Sequence, residues 1–351
     1  MSSSCQEPSA AMTVELAMSH WLDTMRGEVR EITWKGYKQV STNVVGPLLV
    51  GSKNDRFNWS CYGVKRADAQ FIQMLGPVEI RNLKTAQIRN WHKVVTAQVS
   101  HHTANVAKKF LRAALCLAAE DFLVPIPPMP TRIGRGQTRP KKLILSLEQV
   151  GRLLDAALSD DRGIYYAFPF LTGVRPSEQL ALLWSDTHLE DGFIRIRRAQ
   201  QPDGTVTNFT KTDAGMRDIP ICPLLRSMLD KWQSLCPKVN GHEPRVFPLL
   251  GRRGFKHHPK IGYPLAYTNF LYTYWRPALA SQQLPIVTPH SARHTFISTL
   301  QAQGIEVGLV AKLVGHANAT VTLTHYTQAV RGGAAALAML QNAYAKDGCS
   351  R

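Results

Sequence analysis

The chain has 351 residues, 44% of them apolar, and carries 42 Lys and Arg against 25 Asp and Glu, a formal net charge of +17. This length exceeds one typical core and points to two domains, and the charge excess favours a polyanion, nucleic acid above all, as partner. Six scattered cysteines (Cys5, Cys61, Cys116, Cys222, Cys236 and Cys349) show no zinc-type or disulfide pattern, and no signal peptide or membrane-length apolar run is present, so a reduced, cytoplasmic protein with no membrane partner is expected.

Residues 1–12 are small and polar and are expected to be disordered. Val14, Ala17, Met18, Trp21, Leu22 and Met25 then recur at helical spacing. A second helix is expected from Thr33, with Trp34, Tyr37, Val40 and Val44 on one face, ending by Gly46-Pro47. The stretch 54–62 reads as a loop or a short irregular insert, 66–75 as a third helix, and Thr85 as the cap of a fourth carrying Ile88, Trp91 and Val95. The clearest helix of this half covers about 100–123. Val106, Phe110, Ala113 and Leu117 form its apolar stripe, opposite His101, Asn105, Lys108, Lys109 and Arg112. A basic stripe opposite an apolar one suits a helix packed in a small bundle with its charges toward phosphates, although a merely solvated face has the same pattern. Residues 13–124 are thus expected to form a helical, DNA-binding domain.

The run Val124-Pro-Ile-Pro-Pro-Met-Pro130 excludes helix and central strand. Arg132, Arg135, Arg139, Lys141 and Lys142 follow with no acidic residue between them. Residues 125–144 therefore read as a stiff basic linker able to track a nucleic-acid backbone. Together with Lys108, Lys109 and Arg112, these five cations are the candidate DNA contacts.

A second domain is expected over 145–330. It opens with a capping box at Ser146 and Gln149, followed by an apolar helix face of Val150, Leu153, Leu154 and Ala157. Residues 163–172 are apolar and aromatic and predict a buried helix broken by Gly173. The turn Thr172-Gly-Val-Arg175-Pro-Ser-Glu178 follows, with Pro176 suited to the first turn of the next helix. The period then changes. Strands are expected from Phe193, from Val206 and from Arg217, with Pro202-Asp-Gly204 as a turn and Lys211 in a loop at the end of the second strand. Helices are expected over 223–232 and about 267–279, separated by a basic loop with Arg252, Arg253, Lys256, His257, His258 and Lys260. Thr288 can cap a helix to about Gln303, and Val307 opens another that ends at Gly315-His316, with Tyr326 ten residues further on.

Most of the chemistry-bearing residues fall in these last helices. His290 and Arg293 stand three residues apart and share a helix face, with His294 one step round. His290, His294 and His316 could in principle ligate zinc, but no Glu follows His290 as a helical zinc-hydrolase motif requires, and no carboxylate cluster suits magnesium. Phosphate chemistry fits better. Arg175 and Arg293 can each fork two N–H donors to phosphate oxygens. His290 and His316 add donors, Lys211 can protonate a leaving alkoxide, and Tyr326 can attack as nucleophile once cations lower the cost of ionising it.

In their order, the boxes Thr172-Gly-Val-Arg175-Pro-Ser-Glu178, His290-Ser-Ala-Arg293-His294 and Val314-Gly-His316 followed by Tyr326 resemble those of the tyrosine recombinases, the phage integrase family. Lys211 matches that family's hairpin lysine. The resemblance implies a mainly α fold with a small antiparallel sheet, in which a helical core-binding domain precedes an α+β catalytic domain. It implies that Arg175 and Arg293 clamp the scissile phosphate, Lys211 is general acid, His290 assists proton transfer, His316 hydrogen-bonds the phosphate and Tyr326 forms a 3′-phosphotyrosine. Glu178 and His294 would support the site. No cofactor or metal is implied. The implied partners are double-stranded recombination sites of a mobile element, a homo-tetramer in the synaptic complex, and accessory directionality or DNA-bending proteins. Ser291-Ala292 replaces the more usual Asp-Leu, and Val314 stands where Leu is common; neither change removes a catalytic group. A type IB topoisomerase shares the chemistry, and a basic DNA-binding protein with a dead site shares the charge; the proline-rich two-domain layout and the complete set of six catalytic candidates favour the recombinase. Residues 331–351, with Leu337, Leu340 and Tyr344 at helical spacing after Gly332-Gly333, are expected to form a tail helix that docks on a neighbouring protomer or closes its own core.

Overall fold

The computed structural model describes residues 11–131, 133, 143–208, 215–238, 243–251 and 260–316. The chain divides into two compact units, Met1–Arg139 and Pro140–Arg351.

The first unit is built from α1 (Val14–Met25), α2 (Glu31–Val45), β1 (Leu48–Leu49), α3 (Lys53–Tyr62), β2 (Phe71–Ile72), α4 (Thr85–Gln98) and α5 (His101–Phe122). α1, α2 and α4 all pack on α5. Thr13 caps α1 by accepting from the Leu16 N–H at 3.3 Å, and Ser100 caps α5 by accepting from Thr103 N–H at 3.0 Å. The core gathers Val14, Met18, Trp21, Ile88, Trp91, Leu111 and Leu115. α5 turns about one step from the expected orientation. Its buried line is Ala104, Ala107, Leu111, Ala114, Leu115 and Ala118, and Phe110, Ala113 and Leu117 flank it. Small alanines let the other helices approach closely, a requirement that a reading based on large apolar residues underweights.

Three local expectations change. Residues 53–62 form α3 rather than a loop: Ser52 accepts from Asp55 N–H at 3.2 Å while the Asp55 carboxylate accepts from Ser52 N–H at 2.7 Å. None of its described side chains is buried, so apolar periodicity could not announce it. The stretch 66–75 is turn and strand, with Leu48 opposite Ile72 and Leu49 opposite Phe71 in an antiparallel pair. Thr85 is the first residue of α4, and the cap position is Lys84. At the two ends of the unit, Met12 accepts from Ile80 N–H at 2.9 Å, and Val124, Ile126 and Met129 pack on the core. Thr85 donates to the Pro128 carbonyl at 2.9 Å, so the first part of the proline run lies on this unit.

The second unit contains α6 (Leu147–Ser159), α7 (Ile164–Thr172), α8 (Pro176–Ala181), β3 (Thr187–His188), β4 (Phe193–Ile196), β5 (Arg198–Gln200), β6 (Val206–Asn208), β7 (Arg217–Pro220) and α9 (Pro223–Leu235). They are followed by α10 (Tyr267–Phe270), a π-helical turn Leu271–Trp275, α11 (Arg276–Ser281), α12 (Pro289–Ala302) and α13 (Val307–Val314). The strands make two antiparallel sheets rather than one: β3-β4-β7, with Ile194 opposite Ile219 and Ile196 opposite Arg217, and the hairpin β5-β6. Arg197 alone separates β4 from β5, and its Nε donates to Asp186 at 2.6 Å. α7 is the centre of the core, with eight buried residues, and packs along α12. Buried aromatic polar atoms find backbone partners: Tyr165 donates to the Pro248 carbonyl, Trp232 to that of Val246 and Trp275 to that of Val287, each at 2.7 Å. No helix among the described residues is long and apolar enough to cross a membrane.

Candidate active site

Arg175 occupies the cap position of α8, with Pro176 as the first helical residue. Its backbone N–H donates to Glu178 Oε2 at 2.8 Å and its Nη1 to Glu178 Oε1 at 2.7 Å. Its Nη2 reaches the Gly315 carbonyl at 3.1 Å, at the C-terminal end of α13. The Arg175 side chain remains 36% exposed, while that of Glu178 is only 1% exposed. Both terminal nitrogens are therefore anchored, while about a third of the side chain stays open to solvent.

Glu178 has a second arginine that sequence reasoning did not single out. Arg217, at the start of β7, donates from Nη2 to Glu178 Oε2 at 2.8 Å and from Nη1 to Oε1 at 3.3 Å. Burial pushes the Glu178 carboxyl up, but the hydrogen bond and charge of Arg217, together with the charge of Arg175, outweigh it and hold the group below its ordinary value. A signal was present in the sequence: β7 alternates, and with Ile219 facing the core Arg217 must face it too.

Arg293 lies on α12, 1% exposed. Its Nη1 donates to the Gly173 carbonyl at 2.9 Å, and its Nη2 meets no hydrogen-bond partner among the described residues. Burial, and then the neighbouring charge of Arg175, push its pKa down to about 9, with Arg217 acting in the same direction and Glu178 opposing. A guanidinium stays charged at neutral pH even so. The lowered value measures how poorly this cation is compensated. Gly173 makes the arrangement possible. It ends α7 at φ +65°, and a β-carbon there would stand 2.5 Å from the Phe296 ring.

His290 is exposed on the first turn of α12, and its ring meets that of the buried His294 edge-on at 4.8 Å. The half-buried His316 follows the left-handed Gly315 that ends α13, and its N–H donates to the Ala311 carbonyl at 2.9 Å. Arg175, Glu178 and Arg217 all lie within electrostatic range of Arg293, and the ends of α7 and α13 and Gly215 supply the backbone acceptors of the three arginines. Three guanidinium groups thus stand against one carboxylate. Such a cluster is incomplete without an anion, and a phosphodiester supplies both the charge and the oxygens that forked donors require. Among the described residues no three His, Cys, Asp or Glu side chains are gathered to hold a metal ion. Lys211 and Tyr326 lie outside the described residues.

Of the candidate DNA contacts, Lys109 and Arg112 are exposed on α5. Lys108 is half-buried and donates to the Ile133 carbonyl at 2.9 Å. Asn105, on the same face, bonds His92 at 3.1 Å and His101 at 3.3 Å. Part of the expected basic stripe is therefore occupied within its own unit. Arg132, Arg135, Arg139, Lys141 and Lys142 lie outside the described residues.

Residues 144–331 match the model of the phage integrase family. A XerC-like tyrosine recombinase of Caldanaerobacter subterraneus subsp. tengcongensis is 23% identical over 72% of this chain and 69% of its own length. The transposase of transposon Tn916 from Enterococcus faecalis is 26% identical over 73% of this chain and 65% of its own. The chain thus spans about two thirds of the length of these curated relatives. Among solved structures, the Tn1549 transposon integrase in complex with transposon right end DNA superposes with a TM-score of 0.70 at 21% identity, covering 93% of this chain and all of that one. A lambda integrase dimer bound to a core site gives 0.58 at 15% identity, covering 91% of this chain and 97% of that one. With its boxes in family order and the family model matched across its second unit, the chain belongs to the phage integrase family, the tyrosine recombinases.

Proposed function

We propose that this enzyme cuts and rejoins DNA at specific sites for the movement of a mobile element, with Tyr326 as nucleophile. Arg175 and Arg293 bind the two non-bridging oxygens of the scissile phosphate, and His316 and His290 add donors at its edges. The Tyr326 phenol loses its proton toward His290 as its oxygen attacks phosphorus. The bond to the 5′-oxygen breaks, and Lys211 delivers a proton to that leaving oxygen. One phosphoester bond forms as one breaks, so a 5′-hydroxyl from another strand reverses the step with no external energy source. The two arginines stabilise the added negative charge of five-coordinate phosphorus in a pocket built before the substrate arrives.

The observation that carries this reading is the buried Arg293, with one nitrogen unpartnered among the described residues, in the field of the half-exposed Arg175. The matched relatives include a transposon's transposase, and the matched structures include a transposon integrase on a circular intermediate DNA and a lambda integrase tetramer on a Holliday junction. By that likeness, the DNA partner is a pair of recombination sites at the ends of a mobile element, held by four copies of the chain in the bacterial cytoplasm, with accessory directionality or DNA-bending proteins choosing the direction. Residues 13–124 and 145–330 act as core-binding and catalytic domains, joined by the basic segment 125–144.

The test uses the full chain and a randomised duplex pool enriched by repeated binding, rebuilt with a nick beside each candidate cleavage position. The expected result is a protein–DNA adduct that survives denaturation, with DNA attached through a 3′-phosphate. Tyr326→Phe retains binding and forms no adduct. An adduct formed by that variant, or none formed by the unsubstituted chain on any enriched duplex, overturns the assignment.

A further inference from the structure

Arg217 has no part in the phosphate contacts proposed above, yet it is more completely bonded than either clamping arginine. Its side chain is 4% exposed, and all three of its nitrogens donate. Nε reaches the Leu313 carbonyl at 2.7 Å, Nη1 reaches Glu178 at 3.3 Å and the Gly215 carbonyl at 3.2 Å, and Nη2 reaches Glu178 at 2.8 Å. These partners come from three places. Glu178 is the carboxylate that fixes Arg175, Leu313 is in the last turn of α13 just before His316, and Gly215 stands four residues after Lys211 in the sequence.

Stability alone is a poor account of this residue. A buried ion pair contributes little compared with apolar packing of the same volume, because both charges must be desolvated. Arg217 also adds positive charge beside Arg293, which is already poorly compensated. What the guanidinium does supply is geometry. Its planar fork accepts one arrangement of carboxylate and carbonyl, and it ties Glu178 and the end of α13 to one rigid group.

Resting on the recombinase reading, we propose that Arg217 is a positioning residue for strand cleavage: it holds Glu178, and through it Arg175, in register with the end of α13, so that Arg175 and His316 meet the same phosphate. Arg175 itself bonds the Gly315 carbonyl. The two arginines and Glu178 therefore close a loop between the start of α8 and the end of α13. A shift of about 1 Å in either element would separate the two donors, and misplacements of that size cost about 100-fold in rate.

The experiment measures adduct formation on the enriched nicked duplex at saturating and subsaturating DNA, beside thermal unfolding of each variant. Arg217→Gln is expected to lower the saturated rate by about 100-fold while half-saturation moves by less than about threefold. Arg217→Lys, which restores the charge without the fork, recovers only part of the rate. Because both side chains act through one link, Glu178→Gln combined with Arg217→Gln is little slower than the slower single variant. Arg217→Gln that melts like the unsubstituted chain and cleaves within about threefold of its rate overturns the inference, as do multiplicative losses in the double variant. If Arg217→Gln does not fold, Arg217→Lys decides: a slowed saturated rate at unchanged half-saturation supports the inference, and an unchanged rate overturns it. Failure of the recombinase reading is distinguishable, because the unsubstituted chain would then give no adduct at all.

Discussion

The basic face of α5 and the arginines around α12 carry the same charge in opposite circumstances. Lys109 and Arg112 stand in solvent, and their charges are screened and cheap to hold. Arg293 is 1% exposed with a guanidinium nitrogen unpartnered among the described residues, and burial and its neighbours push its pKa down to about 9. The net charge of +17 describes the first region well and says nothing of the second. Attraction to a polyanion follows from the number of charges; chemistry on one phosphate follows from where a few of them are buried.

The largest expected effect breaks this contrast at its buried end. Arg293→Met should slow adduct formation by about 1,000-fold. The melting temperature should hold or rise, since an incompletely compensated buried charge is removed. A calorimetric scan beside the denaturing-gel assay reads both, and loss of stability in step with loss of activity would make Arg293 a structural arginine instead. Gly173→Ala should come next, at a cost of about 2–4 kcal/mol by urea titration, because it strains a left-handed position and drives a methyl into Phe296. Wild-type stability in that variant would remove the rigid carbonyl to which Arg293 is anchored.

A third experiment sharpens the comparison through pH. The folded-state pKa of Glu178 is lowered, so its contribution is fully present above the ordinary carboxylate value and is lost as pH falls through the folded one. Unfolding free energy should therefore drop less between about pH 6 and about pH 3 in Glu178→Gln than in the unsubstituted chain. Equal slopes would deny that the two arginines hold this carboxylate ionised. The smallest effect is at the exposed end. Lys109→Ala with Arg112→Ala should weaken DNA binding about threefold to tenfold and reduce the salt slope by about 2, with the saturated cleavage rate changing far less. An unchanged slope would place this face away from DNA.

Much of the second unit was legible because its signals are local. The uniformly apolar α7, the turn at Gly173, the first-turn Pro176 and the bounds of α12 and α13 all follow from neighbouring residues. Arg175, His290 and Arg293 stood out by type and spacing, and the structure places Arg175 and Arg293 in one electrostatic neighbourhood. Arg217 did not stand out, because a charged residue opening a short strand reads as solvated unless its alternation with Ile219 is followed inward. α3 escaped for the opposite reason: it buries no described side chain, so its only announcement is the reciprocal pair Ser52 and Asp55. The apolar line of α5 was misplaced by one step because alanine makes the closest packing with the faintest hydropathy. Lys211 and Tyr326 remain expectations of residue order and family resemblance.

The acceptors chosen by the site's arginines have a consequence for its inheritance. Arg293 bonds the carbonyl of Gly173, Arg175 that of Gly315, and Arg217 those of Leu313 and Gly215. Every residue type offers a main-chain oxygen, so these anchor points can survive many changes of letter at positions such as 313. An insertion or deletion between α13 and His316 has no such tolerance, because it moves the oxygen itself. Descendants of this sequence can thus drift widely in spelling at the rim of the site while the spacing from the end of α13 to His316 stays rigid.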